Sequence, residues 1–270
     1  MNDAIGEIGE ITTQDLWIPG QDGRLFARLW TPERPRSEVP LILFHDSLGS
    51  VELWRNFPAA LAACCGRQVI AYDRLGFGRA DARRGRQSLD FIAAEADGGF
   101  ADLRQQLGIG RFALFGHSVG GGIAVNCAAR HADDCVALIT ESAQAFVEQR
   151  TVRGVEEARA LFADPEQVRR LARYHGDKAA WVLAAWIDTW LSPDFAGWSL
   201  RPVLPRVRCP LLAIHGVDDE YGSPKHPELI GQLAGGPTRV ELIADTRHVP
   251  HREREDAVLA MVGGFLHGVA

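Results

Sequence analysis

At 270 residues the chain has the length of one large α/β domain, or of one domain with a sizeable insertion, and can bury its core without disulfides or metal. Its hydrophobic share of 46% and charged share of 24% are those of an ordinary soluble globular protein. Lys plus Arg number 29 against 35 for Asp plus Glu, a formal charge of -6, and this weighs against nucleic acid as a partner because phosphate binding needs clustered positive charge.

The N-terminal run Met1–Glu7 is acidic and has neither the basic nor the apolar segment of a signal peptide. Residues 14–31 read as two strands around the turn Pro19-Gly20-Gln21-Asp22-Gly23. Residues 39–44 (VPLILF) read as an apolar strand, 51–65 as a helix, 69–72 as a strand and 89–107 as a helix. Between them the short Arg-rich patch of Arg83, Arg84 and Arg86 reads as a solvated loop. The strand at 112–115 (FALF) runs into Gly116-His117-Ser118, and a helix rich in Ala and Gly follows. Residues 136–140, 211–214 and 240–243 are strand-like, and 256–266 has helical periodicity. Strands alternating with helices predict an α/β fold whose mostly parallel, eight-stranded sheet is covered on both faces.

One segment breaks that rhythm. Of the 70 residues between Thr140 and Leu211, roughly 60 carry helical but no strand patterning, too many for an ordinary crossover. Trp181, Trp186, Trp190 and Trp198 concentrate there. A helical cap is therefore expected after the sixth strand, with core at 1–146 and 207–270 and cap at 147–206. The bland alternative is a set of extra helices on the sheet edge. The five cysteines (Cys64, Cys65, Cys127, Cys135, Cys209) form no C-x-x-C pair and no zinc-finger spacing, which suits a reducing cytoplasm. No apolar run approaches the ~18 residues of a membrane span. A soluble cytoplasmic protein with no membrane partner is expected, its oligomeric state open and a homodimer included.

The strongest chemical signal is Gly116-His117-Ser118-Val119-Gly120, a G-x-S-x-G match set between strand and helix. A strand turning abruptly into a helix strains its apex residue, and glycine on either side lets the two elements approach closely. The apex hydroxyl is then lifted above the sheet with the following amides aimed at the same spot.

With these elements the chain resembles the α/β-hydrolase superfamily over nearly its whole length. The resemblance implies no cofactor and a triad in the order Ser, acid, His. Ser118 is then the nucleophile. After the strand at 211–214, His215-Gly216-Val217-Asp218-Asp219-Glu220 resembles the family's G-x-x-D turn and implies Asp219 as the acid, with Asp218 its neighbouring rival. Glu141, at the end of the 136–140 strand, is a second candidate, because some members carry the acid there. His248, between the last strand and last helix, matches the family's base, although Arg247 stands where glycine is usual; His251 is its rival. An H-x-x-H metal reading of His248 and His251 lacks the following Glu and a third ligand, so no metal is expected. The oxyanion donors implied are the amides of Val119 and of Ser47, in His45-Asp46-Ser47-Leu48-Gly49-Ser50. Asp46 replaces the family's glycine. Asp73, in the D-x-x-G-x-G segment beginning there, is expected to bond loop amides, with its glycines supplying turns.

A serine nucleophile excludes the dehalogenase and epoxide hydrolase cousins, which attack with aspartate. The expected reaction is hydrolysis of a carboxylic ester, lactone or thioester through an acyl-enzyme. The alternatives are a C–C bond hydrolase of ring-cleavage products, with Arg150, Arg153, Arg169 and Arg170 as anchors for an acidic substrate, and a non-catalytic ligand sensor. A largely hydrophobic lid over the nucleophile implies a medium-sized, apolar small-molecule partner. Leu48, His117, Trp186 and His251 are the expected substrate contacts.

Overall fold

The computed structural model describes residues 9–269, so the acidic run Met1–Glu7 lies outside the described residues. The strands are β1 (Ile11–Ile18), β2 (Leu25–Pro32), β3 (Ser37–Phe44), β4 (Arg67–Asp73), β5 (Phe112–His117), β6 (Cys135–Glu141), β7 (Leu211–Gly216) and β8 (Thr238–Ile243). They build one sheet in the order β1-β2-β4-β3-β5-β6-β7-β8. Only β1–β2 and β2–β4 pair antiparallel; the pairs from β4–β3 onward are parallel. The helices are α1 (Phe57–Cys65), α2 (Phe91–Ala94), α3 (Gly99–Leu107), α4 (Val119–Arg130), α5 (Gln149–Leu161), α6 (Pro165–His175), α7 (Ala179–Trp190), α8 (Lys225–Leu233), α9 (Pro250–Glu253) and α10 (Glu255–His267).

This is the expected mostly parallel sheet with a helical insertion after β6. The central strands β5 and β6 are buried at every residue, because apolar clusters cover both faces of the sheet. One cluster joins α4 to the sheet through Ile123 and Ala124, and the other joins α1 and α10 through Leu61 and Val258.

Two helical expectations need correction. Residues 51–65 are not one helix: a 3-10 turn (Val51–Trp54) is cut from α1 by Arg55, whose φ of 55° lies in the left-handed region. Residues 89–107 split into α2 and α3 at Gly98-Gly99, where backbone freedom outweighs the hydrophobic periodicity.

Asp73 does what its loop requires, accepting the amides of Val51 (2.7 Å) and Arg79 (2.8 Å). Burial, outweighing those amides, pushes its carboxyl up to about 6. Gly78, at φ 46°, has Asp73 seated where a Cβ would be.

In the cap, the tryptophans divide. Trp190 and Trp198 pack edge-on at 5.7 Å and both meet Phe195, while Trp181 packs on Phe77 and donates to the Gly85 carbonyl (2.8 Å). Trp186 faces Tyr221 at 5.8 Å. Among the described residues no helix is long and apolar enough to cross a membrane.

Candidate active site

Ser118 sits at the junction of β5 and α4 with φ 55° and ψ -125°, a conformation rarely adopted by a residue with a side chain. Two glycines make the bend possible. A Cβ on Gly116 would fall 2.2 Å from the Gly120 carbonyl oxygen, and one on Gly120 would fall 2.2 Å from that of Phe44.

The hydroxyl lifted out by this bend meets its base. Ser118 Oγ lies 3.0 Å from His248 Nε2, and His248 Nδ1 lies 2.9 and 2.8 Å from the two oxygens of Asp219. Asp219 stands in the turn after β7 and is buried, and it also accepts the amides of Tyr221 (2.7 Å) and Gly222 (3.2 Å). Burial raises its carboxyl, but the facing His248 outweighs burial and holds it below the ordinary carboxylate value. The acid therefore stays charged, fixes the Nδ1–H tautomer and leaves the Nε2 lone pair for the serine proton. Ser118, His248 and Asp219 form a Ser-His-Asp triad.

Close backbone packing aligns the acid with the base. A Cβ on Gly216 would fall 2.2 Å from the Arg247 carbonyl oxygen, so only glycine lets the β7 turn lie against the loop of His248. The Asp218 amide donates to Thr246 O (2.9 Å) across that contact, while the Asp218 residue is exposed. Arg247, where glycine was expected, is accommodated: its side chain is exposed and reaches Glu220 at 3.4 Å.

Glu141 belongs to a different pair. Its Oε2 lies 2.5 Å from His251 Nδ1, both residues are buried, and neither reaches the nucleophile. Burial opposes charge on Glu141, yet the facing His251 holds its carboxyl low. His117 is buried beside them, with Nε2 2.8 Å from the carbonyl oxygen of His248. Among the described residues, His117, Glu141 and His251 form the one cluster whose donor atoms, all within 4.8 Å of one another, are close enough to share an ion. The contacts just described already occupy an atom on each. Because Glu141 lies outside the triad, Glu141→Leu is expected to orphan the buried His251 donor and cost about 1–3 kcal/mol. Urea unfolding reads that loss, and kcat of the folded variant should stay within roughly tenfold of the parent. A collapse of kcat to the level of a triad knockout would show that the wrong acid has been chosen.

A cavity of about 160 Å³ opens over Ser118, lined by Ser47, Leu48, Gln144, Trp186, Trp190 and Tyr221 among others. Of the four substrate contacts expected, Leu48 and Trp186 line it. His117 and His251 line a separate, much smaller cavity behind the triad with Asp46 and Trp54. Sequence reasoning missed Gln144, Thr151, Val155 and Tyr221 in the main wall. Gln144 carried a usable signal, being a polar residue just past the carboxyl end of a central strand, where α/β sheets place ligands. Its Oε1 lies 3.3 Å from Ser118 Oγ.

The comparisons agree with this architecture. The family model described as alpha/beta hydrolase fold matches residues 39–186, more than half of the chain. The human protein "Serine hydrolase BPHL" is 28% identical over 204 residues, covering 73% of this chain and 69% of its own. A bacterial membrane phospholipase A superposes with a TM-score of 0.74 at 19% identity, covering 97% of this chain and 87% of its own. The enol-lactonase of Burkholderia xenovorans LB400 gives 0.72 at 22%, covering 93% and 100%. Both likenesses speak to the fold alone. The nucleophile's bend is thus found within the matched segment, and the chain belongs to the alpha/beta hydrolase fold family.

Proposed function

We propose that this serine hydrolase cleaves carboxylic esters, lactones included, of medium-sized apolar compounds. The observation that carries the reading is the hydrogen-bonded relay from Ser118 through His248 to Asp219 at the floor of a largely apolar cavity. Ser118 Oγ attacks the carbonyl carbon while His248 Nε2 takes its proton, and Asp219 stabilises the imidazolium. The tetrahedral oxyanion collapses, the alkoxide leaves with the proton held by His248, and water then hydrolyses the acyl-enzyme by the same route.

The amides of Val119 and Ser47 are assigned to the oxyanion. Val119 opens α4, so its N–H has no carbonyl within the helix to meet. In the other loop the amides of Leu48 and Gly49 are occupied by Asp46 Oδ1 (2.8 Å) and Asp46 O (3.3 Å), which leaves that of Ser47 beside the cavity. Leu48, Trp186 and Trp190 would hold the apolar part of the substrate, with Gln144 and Tyr221 as polar contacts. Residues 147–206 are assigned to the cap and 1–146 with 207–270 to the core.

The C–C hydrolase reading loses its support in the cap. Arg150 donates to Asp219 O (3.1 Å), and the exposed Arg169 and Arg170 reach Glu166. None of the residues lining the cavity is Arg or Lys. The intact triad opposes a purely sensory role. The sequence similarity to a serine hydrolase adds weight to this reading. Five free cysteines support a cytoplasmic location.

A panel of p-nitrophenyl esters tests the reading together with covalent labelling by a fluorophosphonate. Labelling at Ser118 and a preference for medium acyl chains are expected. A chain that takes no label and hydrolyses no ester would overturn the proposal, and a strong preference for dicarboxylate monoesters would overturn its apolar part.

A further inference from the structure

Asp46 stands where a glycine was expected, in the loop that carries the proposed oxyanion donor. Its carboxylate is partly exposed and makes two contacts: Oδ1 accepts the Leu48 amide (2.8 Å), and Oδ2 lies 3.4 Å from His117 Nδ1. The same imidazole presents Nε2 to the His248 carbonyl oxygen at 2.8 Å. A carbonyl only accepts, so Nε2 must carry a proton, and a neutral ring would then turn the Nδ1 lone pair toward a carboxylate. With acceptors on both sides, the imidazolium is the form that satisfies the geometry.

From this placement we infer that Asp46 and His117 are a charged pair of positioning residues, which ties the oxyanion loop to the loop of the catalytic base across the end of the nucleophile's own strand. The inference rests on the proposed oxyanion role of Ser47, which follows Asp46 directly. Through one ring the two loops on either side of Ser118 are held at a fixed separation. A charged bridge of this kind also explains how a side chain at position 46 is tolerated: it supplies an anchor in place of the backbone freedom that glycine would give. Arg74 secures the other face of the loop by donating to Asp46 O at 3.0 Å.

The groups that face His117 are Asp46 from the loop after β3, Glu141 from β6, and His248 and His251 from the segment after β8; Trp54 from the 3-10 turn closes the side. Arg252, also near Asp46, adds positive charge at the rim. Burial disfavours the charged ring, but Asp46 and Glu141 outweigh it and raise the His117 imidazole above its ordinary value. The bridge therefore persists to higher pH than an ordinary imidazole would allow, and it is lost as pH rises through that raised value.

The test uses the full chain, p-nitrophenyl butyrate and three variants. Asp46→Asn keeps an acceptor for Leu48 but removes the charge. His117→Gln keeps a donor for His248 O but cannot serve Asp46 as well. For Asp46→Asn we expect kcat to fall roughly 10- to 100-fold with KM changed less than about threefold, since a positioning loss acts on the transition state. The alkaline fall of kcat should move to lower pH, as one charge supporting the imidazolium is gone. The double variant should be no slower than the slower single variant, because both changes break one bridge. Imidazole ¹⁵N spectra followed through a pH titration should show His117 holding its second proton to higher pH in the parent than in Asp46→Asn. If His117→Gln fails to fold, the Asp46→Asn profile and spectra decide alone. Parent-like kcat and pH profile in Asp46→Asn, or losses that multiply in the double variant, would overturn the inference. Fluorophosphonate labelling of Ser118 separates the two readings: a parent that takes the label while Asp46→Asn behaves like it leaves the hydrolase standing and removes the bridge.

Discussion

Ser118→Ala should lower kcat for an activated ester by roughly 10⁴- to 10⁶-fold and abolish fluorophosphonate labelling, while leaving KM and thermal stability close to those of the parent. The magnitude follows from what the hydroxyl does. No other nucleophile stands at the apex of the bend, and His248 and Asp219 lose their function once the attacking atom is absent, so removal of either should give a loss of the same order without adding to the first. The residual rate would come from the proposed oxyanion amides and the cavity. Stability should not suffer, because the strained backbone at residue 118 is imposed by its neighbours and remains with alanine in place. Steady-state kinetics with mass spectrometry of the labelled protein measures both effects. Turnover within tenfold of the parent would remove the triad from the mechanism.

Gly120→Ala is the second large effect, and it falls on the fold. The added methyl would lie 2.2 Å from the Phe44 carbonyl oxygen and 2.7 Å from that of His45, both backbone atoms of the neighbouring strand and oxyanion loop. No flexible side chain can yield there, so α4 must back away from β3. We expect a loss of roughly 3 kcal/mol or more, at the upper end for overpacking, seen as a fall in Tm of about 6–12 °C for a chain this size. Activity should fall as well, since the displaced contact runs through the loop holding Ser47. Gly264→Ala is the control: that position in α10 is exposed with open space around it, and alanine there should be neutral or slightly stabilising. Equal midpoints for the two variants would show that the close approach at Gly120 is dispensable.

Much of this molecule could be read along the chain because its signals are local. Apolar runs such as FALF mark strands covered on both faces, and the elbow and the G-x-x-D turn carry their geometry in adjacent residues. What stayed hidden depends on tertiary contacts. The breaks at Arg55 and Gly98 interrupt convincing helical patterns, since hydrophobic periodicity says which face is buried and little about where the backbone turns. His117 and His251 looked like residues near a pocket; their pairing with Asp46 and Glu141 joins positions more than 70 residues apart, which no spacing rule reaches. Gln144, Thr151 and Tyr221 reach one wall from three separate segments. The four cap tryptophans could be counted in the sequence, but their division between packing and cavity lining depends on how α7 lies over the nucleophile.

The triad draws its members from the ends of β5, β7 and β8, separated by long stretches of chain and by the entire cap. Such an assembly can exist only after the most distant strand pairings are made, which are the slowest to find one another during refolding. Four of the seven tryptophans lie in the segment inserted after β6, three of them in α7, where contacts are more local. Intrinsic fluorescence after dilution from denaturant should thus recover before turnover does, and regained catalysis is the stricter measure of a completed native state.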